Sequence, residues 1–159
     1  MLISNDEFKR VMRQWASGVT IVTARQGEAI HGLTVSGFLS LSLNPPQVLI
    51  SIGETMRSHD LIETGKCFAV NFLRHDQREI ADRFAGRNGE VDRFEGVRIR
   101  SEVTGAPVFE DCLAWLDCRV IDQHRSGDHI IYIGEVVASG VNGEDKPLLY
   151  WNGDYRQMK

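Results

Sequence analysis

Apolar positions in the first eighteen residues recur with a helical period. Ser4 followed by Glu7 is a capping-box signature, and Phe8, Val11, Met12, Trp15 and Ala16 fall at i, i+3, i+4, i+7 and i+8. The spacing predicts a short helix with one buried face, closed by Gly18 just past its C-cap. From Val19 onward the pattern is that of strands. Val19–Thr23 is a β-branched run, followed by turn residues Arg25 to Glu28 and a Ser/Thr/Gly-rich stretch from Gly32 to Leu43. Val48–Ile52 is an apolar run between Pro45-Pro46 and Gly53. A short helix around Ser58–Thr64 precedes a strand at Cys67–Leu73. Residues His75–Arg87 are helical in pattern, with Ile80, Ala81 and Phe84 on one side. Strand signals return at Leu113–Asp122 and Asp128–Val137, joined through Ser126-Gly127, and Leu148–Trp151 is the last apolar run.

Many strands, few helices, short turns and no strand–helix–strand alternation predict a mainly β fold, a closed antiparallel barrel with a few short peripheral helices. Residues 88–107 are polar and glycine-containing and are expected to form the longest loop. The chain shows no repeat, low-complexity tract or composition shift, so residues 1–159 are expected to form a single domain. A chain of this length buries roughly 68–70% of its unfolded surface and needs no staples.

Composition narrows the function classes. Eighteen Lys and Arg against 22 Asp and Glu give a net charge of -4, which argues against general nucleic-acid binding. The first residues lack the basic start and apolar stretch of a secretory signal, and no apolar run is long enough to cross a bilayer. Cys67, Cys112 and Cys118 are odd in number and contain no CxxC pair, so they read as buried hydrophobes, not disulfides or metal ligands. A cytoplasmic protein without a metal site, nucleic-acid partner or membrane contact is the expectation. GxGxxG, P-loop, HExxH and GxSxG signatures are all absent.

Four segments carry candidate chemistry. Thr34, Ser36, Ser40 and Ser42 lie two or four residues apart, so a strand would present their hydroxyls on one face. That face is either ordinary solvent-facing strand surface or a set of donors for a planar heterocycle or phosphate. Thr55-Met-Arg-Ser-His59 offers Ser58 as a helix cap with the Arg57 guanidinium beside it, either a capped turn or an anion site. Ser126-Gly-Asp-His129 places a histidine at a strand mouth, a surface residue or a group that docks a transient ligand. Leu149-Tyr-Trp-Asn-Gly-Asp-Tyr155 either seals the barrel end or walls an aromatic ring.

In this order the segments resemble the short-chain flavin reductase family, the reductase components of two-component flavin-dependent monooxygenases. The resemblance is carried by Ala16–Thr23, Gly32-Leu-Thr34, Ser40–Pro46, Phe68–Leu73, Gly127-Asp-His129 and Pro147–Tyr150, and spans nearly the whole chain. It implies an FMN-binding split β-barrel of antiparallel Greek-key type and a homodimer. It implies FMN or FAD as the acceptor, NADH or NADPH as the hydride donor, and a partner oxygenase that receives the reduced flavin. Carried over by position, Thr34, Ser36, Ser40 and Ser42 would line the flavin ring and ribityl chain. Arg57 and Ser58 would hold its phosphate with help from Thr55. Asn71 and Phe72 would edge the ring, with Arg83 and Phe84 nearby and Tyr155 closing the pocket. Gly127, Asp128 and His129 would receive NAD(P)H, His129 being the catalytic candidate.

This reading needs no protein nucleophile or metal, because the cofactor carries the difficult chemistry while the protein stacks two rings. Three alternatives stand beside it: a non-catalytic module that binds or stores flavin, a ligand-free interaction barrel, and a split-barrel oxidoreductase acting on a bound substrate such as pyridoxamine phosphate. Only the enzyme needs the Gly127-Asp128-His129 rim.

Overall fold

The computed structural model describes residues 2–159. In chain order the elements are α1 (Asn5–Met12), β1 (Ser17–Gly18), β2 (Thr20–Gln26), β3 (Ala29–Val35), β4 (Phe38–Leu43) and β5 (Pro46–Gly53). Next come α2 (Arg57–Gly65), β6 (Cys67–Phe72), α3 (Arg78–Phe84), β7 (Ile99–Ser101), β8 (Pro107–Phe109), β9 (Ala114–Ser126) and β10 (His129–Val141). The chain closes with β11 (Leu148–Trp151) and β12 (Asp154–Gln157). The fold is mainly β and its paired strands are antiparallel.

Seven strands form the principal sheet in the order β3-β2-β6-β9-β10-β5-β4. Its first and last members, β3 and β4, are consecutive in sequence and separated only by Ser36 and Gly37, so the sheet must roll until its two edges meet. At that seam the Ser51 N–H donates to the Gly37 carbonyl (2.8 Å), and a Cβ on Gly37 would lie 3.1 Å from that of Ser51. β11 and β12 join β1 in a small second sheet, and β7 pairs β8.

Two apolar layers explain why some strands alternate and others do not. Val22, Leu33, Ile50, Ile52, Phe68, Val70 and Tyr132 fill the barrel interior, which Leu61 and Ile62 of α2 cover at one end. Ile21, Ala69, Leu73, Phe84, Val108, Phe109, Trp115 and Leu148 form a second core outside it. β2 and β6 lie between the two and are buried on both faces, hence the unbroken apolar runs at these positions.

The N-terminal helix departs from expectation. The Ser4–Glu7 capping box forms, with Glu7 N–H to Ser4 Oγ at 3.2 Å and Ser4 N–H to Glu7 Oε2 at 3.0 Å. The helix ends at Met12, Trp15 lies in the following turn, and Gly18 belongs to β1 and is no helix terminator. None of its residues is buried: Phe8 is 56% and Val11 62% exposed, and Trp15 beyond its end is 72% exposed, so the apolar stripe has no partner in its own chain. Ser58 likewise does not cap α2. Met56 occupies the N-cap without a side-chain bond, and Ser58 sits inside the first turn. The stretch 88–107 is more ordered than its polarity suggests: it contains β7 and the first residue of β8. Asp117, buried in β9, accepts the Thr104 N–H at 2.8 Å, which fixes the end of the loop.

Candidate active site

A cleft of about 550 Å³ opens where the β3–β4 connection faces the ends of β5 and β10. Thr34, Ser36 and Gly37 form one wall, Ser51 to Met56 the floor, and Asp128 and His129 the far rim. Backbone pairing builds that rim. His129 lies opposite Gly53 across the β5–β10 ladder and opposite Ser126 across the β9–β10 ladder. Gly127 makes the two-residue turn at φ +59°, a conformation that glycine adopts without steric cost. The Glu54 N–H donates to the Asp128 carbonyl (3.0 Å) and the Met56 N–H to that of Gly53 (3.0 Å), tying the segment before α2 to the hairpin.

The His129 side chain is 49% exposed, and its Nδ1 lies 2.7 Å from Asp128 Oδ1. That hydrogen bond holds the Asp128 carboxyl below the usual carboxylate range. With Nδ1 carrying the shared hydrogen, a neutral His129 keeps Nε2 as an acceptor. Thr34 Oγ1 donates to the Ala81 carbonyl (2.7 Å), which fixes its rotamer and leaves the oxygen able to accept.

Thr34, Ser36, Thr55, Asp128 and His129 therefore line one space, with Gly127 shaping its rim. Arg57 and Ser58 follow immediately on α2. Arg57 lines a separate cavity of about 180 Å³ with Ile30, His31, Asp92, Arg93 and Phe94. Ser58 is fully buried and its Oγ is 2.6 Å from His31 Nδ1. Burial first, then the Arg93 and Arg57 charges, push His31 down to about 4. On the other side of Thr34–Ser36 a third cavity, about 200 Å³, is lined by Arg87, Tyr150 and Tyr155. Arg78 and Arg87 both lie over the Tyr155 ring.

The remaining candidates do not line this cleft. Ser40 and Ser42 are on β4, where a register shift between them breaks the common face, and neither lines the cleft. Asn71 is fully buried between the sheet and β8: its Nδ2 donates to the Ile21 carbonyl (3.2 Å) and its Oδ1 accepts the Phe109 N–H (2.7 Å). Phe72 packs edge-on against Phe38 at 5.3 Å. Arg83 Nη1 donates to the Glu95 carbonyl (2.6 Å). Phe84 is a fully buried member of the outer core. Tyr155 walls the third cavity and not the cleft. Sequence reasoning missed Ser51, Glu54, His31, Arg87 and Arg93. Gly53, a break after an apolar run, was the available signal for the floor. The others sit in segments without periodicity or on strand faces whose orientation only the pairing reveals.

A flavin fits the residues present. The cleft volume lies within the roughly 300–1,000 Å³ typical of small-molecule sites, and Thr34, Ser36, Ser51 and Thr55 line it with hydroxyls for a polar heterocycle. Among the described residues no group of three His, Cys, Asp or Glu side chains is placed to hold a metal, and no helix is long and apolar enough to cross a membrane.

Comparison with known proteins returns a consistent set. A family model described as "Flavin reductase like domain" matches residues 12–159. The reductase subunit of a flavin-dependent monooxygenase from Mycobacterium tuberculosis is 35% identical over 150 residues, covering 93% of this chain and 79% of that protein. The solved structure of the flavin reductase PheA2 superposes with a TM-score of 0.90 at 38% identity, covering 99% of both chains. The NADH:FAD oxidoreductase SgcE6 of Streptomyces globisporus, solved with NAD and FAD fragments, gives a TM-score of 0.90 at 31% identity, covering 100% of this chain and 97% of that one.

Proposed function

The chain belongs to the flavin reductase-like family, and on that premise we propose that it reduces FMN or FAD with NADH and releases the product to a separate monooxygenase component. The observation that carries the assignment of residues is the cleft itself, with hydroxyl and backbone groups of Thr34 to Gly37 on one side and His129 opposite. When bound there, the flavin supplies hydride-accepting chemistry, so the protein needs neither a nucleophile nor a metal. Thr34 and Ser36 bind the ring edge and ribityl chain, with Thr55 on the floor. His129, oriented by Asp128, would hold the nicotinamide beside the flavin. Holding the two rings in contact is the main catalytic contribution, since a well-oriented pair reacts far faster than two diffusing partners.

The cleft is open and Ser36, Thr55 and Asp128 are exposed, which suits a flavin that arrives and leaves with each turnover. A homodimer is part of this reading. Phe8, Val11, Met12 and Trp15, together with Leu39, Leu41 and Leu43 on edge strand β4, are exposed apolar surface of the kind that a second copy covers. The deciding experiment is steady-state oxidation of NADH and of NADPH in the presence of excess FMN or FAD. Turnover with free flavin supports a reductase; flavin binding without nicotinamide oxidation would leave only a flavin store.

A further inference from the structure

The β9–β10 hairpin carries a second histidine beside the rim of the cleft. His129 pairs Ser126 across this ladder, and Ile131 pairs His124 on one side and Ser51 of the cleft floor on the other. No register shift falls between these pairs, and directly opposed side chains share a face, so His124, Ser126, His129 and Ile131 stand on the same side of the sheet. The alternate residues face the other way. Ile130 belongs to the barrel core, and Arg125 opposite it is paired with Glu54 at 2.7 Å. His124 is therefore one diagonal step from His129 on the ladder, about 7–8 Å. It also repeats the arrangement at His129: its side chain is 60% exposed, and its Nε2 lies 3.0 Å from Asp122 Oδ2. That contact joins two exposed side chains of one strand, so it holds no two elements of the fold together. A neutral imidazole that gives its N–H to Asp122 presents Nδ1 as an acceptor. The hairpin thus offers two oriented acceptors, His129 Nε2 and His124 Nδ1, with the part-buried Ile131 next to both.

We propose that His124 is a further binding residue for the nicotinamide donor, its Nδ1 accepting a hydrogen bond from a hydroxyl of the ribose joined to the nicotinamide ring. The proposal rests on the flavin reductase reading of the cleft, with His129 beside the nicotinamide. The donor is built in the same order as the hairpin: a ring for the rim at His129, then a sugar with two hydroxyls for the next histidine on that face. Ile131 supplies apolar contact between them. Asp122 fixes the imidazole in advance, so little side-chain freedom is lost when the sugar arrives. This ribose is common to NADH and NADPH, so the contact serves capture of either donor. His124 does not reach the reacting ring, and its removal acts on donor affinity and not on the hydride step.

The test is steady-state and stopped-flow reduction of FMN in the full-length protein and in His124→Ala and His124→Gln, with flavin affinity measured separately by fluorescence quenching. His124→Ala should raise KM for NADH about threefold to tenfold, the loss of one hydrogen bond. Its kcat and flavin affinity should stay within about twofold, which excludes a distorted cleft. His124→Gln keeps an acceptor at this position and should recover part of the loss. A donor without the sugar, 1-benzyl-1,4-dihydronicotinamide, should reduce protein-bound flavin at the same rate in His124→Ala as in the unaltered protein, because it has nothing for His124 to hold. A KM for NADH unchanged in His124→Ala would overturn the assignment. So would equal losses with the two donors, or a fall in kcat or flavin affinity as large as the rise in KM. Failure of the unaltered protein to oxidise NADH with either FMN or FAD would instead strike at the reductase reading.

Discussion

Replacing Phe84 by leucine separates a core residue from a flavin contact. The ring is fully buried and lies edge-on to Phe94 at 5.1 Å (85° between planes) and tilted to Phe109 at 5.3 Å. It also covers Gly32, where a Cβ would come within 2.6 Å of the Phe84 ring. Each aromatic pair contributes about 0.5–1.5 kcal/mol beyond area burial, and a change of shape in a packed core costs up to about 1.5 kcal/mol. The expected loss is about 2–3 kcal/mol. For a chain of this size that lowers Tm by roughly 5–10 °C, measured at one fixed protein concentration. Flavin affinity should remain within about twofold, since Phe84 does not line the cleft and leucine leaves its carbonyl in place for Arg93. Calorimetry and flavin titration on the same preparation decide the matter. A tenfold loss of flavin affinity at unchanged Tm would show that Phe84 faces the ligand and that the placement argued above is wrong.

His129→Ala should slow flavin reduction by NADH about tenfold to a hundredfold in stopped flow while flavin affinity changes less than about threefold; poor flavin binding with normal reduction at saturation would place His129 in the flavin shell. Val11→Asp combined with Trp15→Asp should convert a dimer into a monomer by sedimentation at micromolar concentration, whereas a monomeric unaltered protein would remove the basis for the interface. His31, held down near 4 against an ordinary 6.5, binds fewer protons folded than unfolded between those values, so its contribution to stability is complete above pH 6.5 and is lost as pH falls toward 4. Urea unfolding across that range should show a fall that His31→Asn lessens; an identical fall in the variant would refute the assignment.

The β architecture was legible because β2, β6, β9, β10 and β5 each carry apolar runs bounded by Gly, Pro or polar turns. The Gly127-Asp128 turn likewise announced the β9–β10 hairpin that brings His129 to the rim. What remained hidden depends on long-range pairing. Thr34 and Ser42 share a parity in sequence, yet the two-residue crossing at Ser36–Gly37 sends β4 to the other edge of the sheet, and the bulge before Ser42 breaks the alternation. Asn71 looks like a polar site residue on an apolar strand, but its side chain fastens β8 to the principal sheet, with which β8 shares no backbone ladder. Arg93 sits in a polar stretch where sequence offers nothing to set it apart from other surface arginines. The stripe of α1 was read correctly as apolar and incorrectly as buried, because periodicity says which face seeks cover but not which chain provides it.

The rolling of the seven-stranded sheet also orders events in time. The β2–β3 and β9–β10 ladders join neighbours in sequence, whereas Ile21 must find Asn71, and Ser51 must find Ile131 some eighty residues away. Loop-closure entropy favours the local hairpins first and makes such β topologies slow, on the order of milliseconds to seconds. Within the seven-stranded sheet the β5–β10 ladder is the most distant pairing, and it is the ladder that sets Gly53 opposite His129. The cleft is therefore among the last features of the chain to exist. A ligand that needs both of its walls has nothing to grip during the search, so it restrains unfolding of the finished barrel and leaves the pace of its formation to the strands.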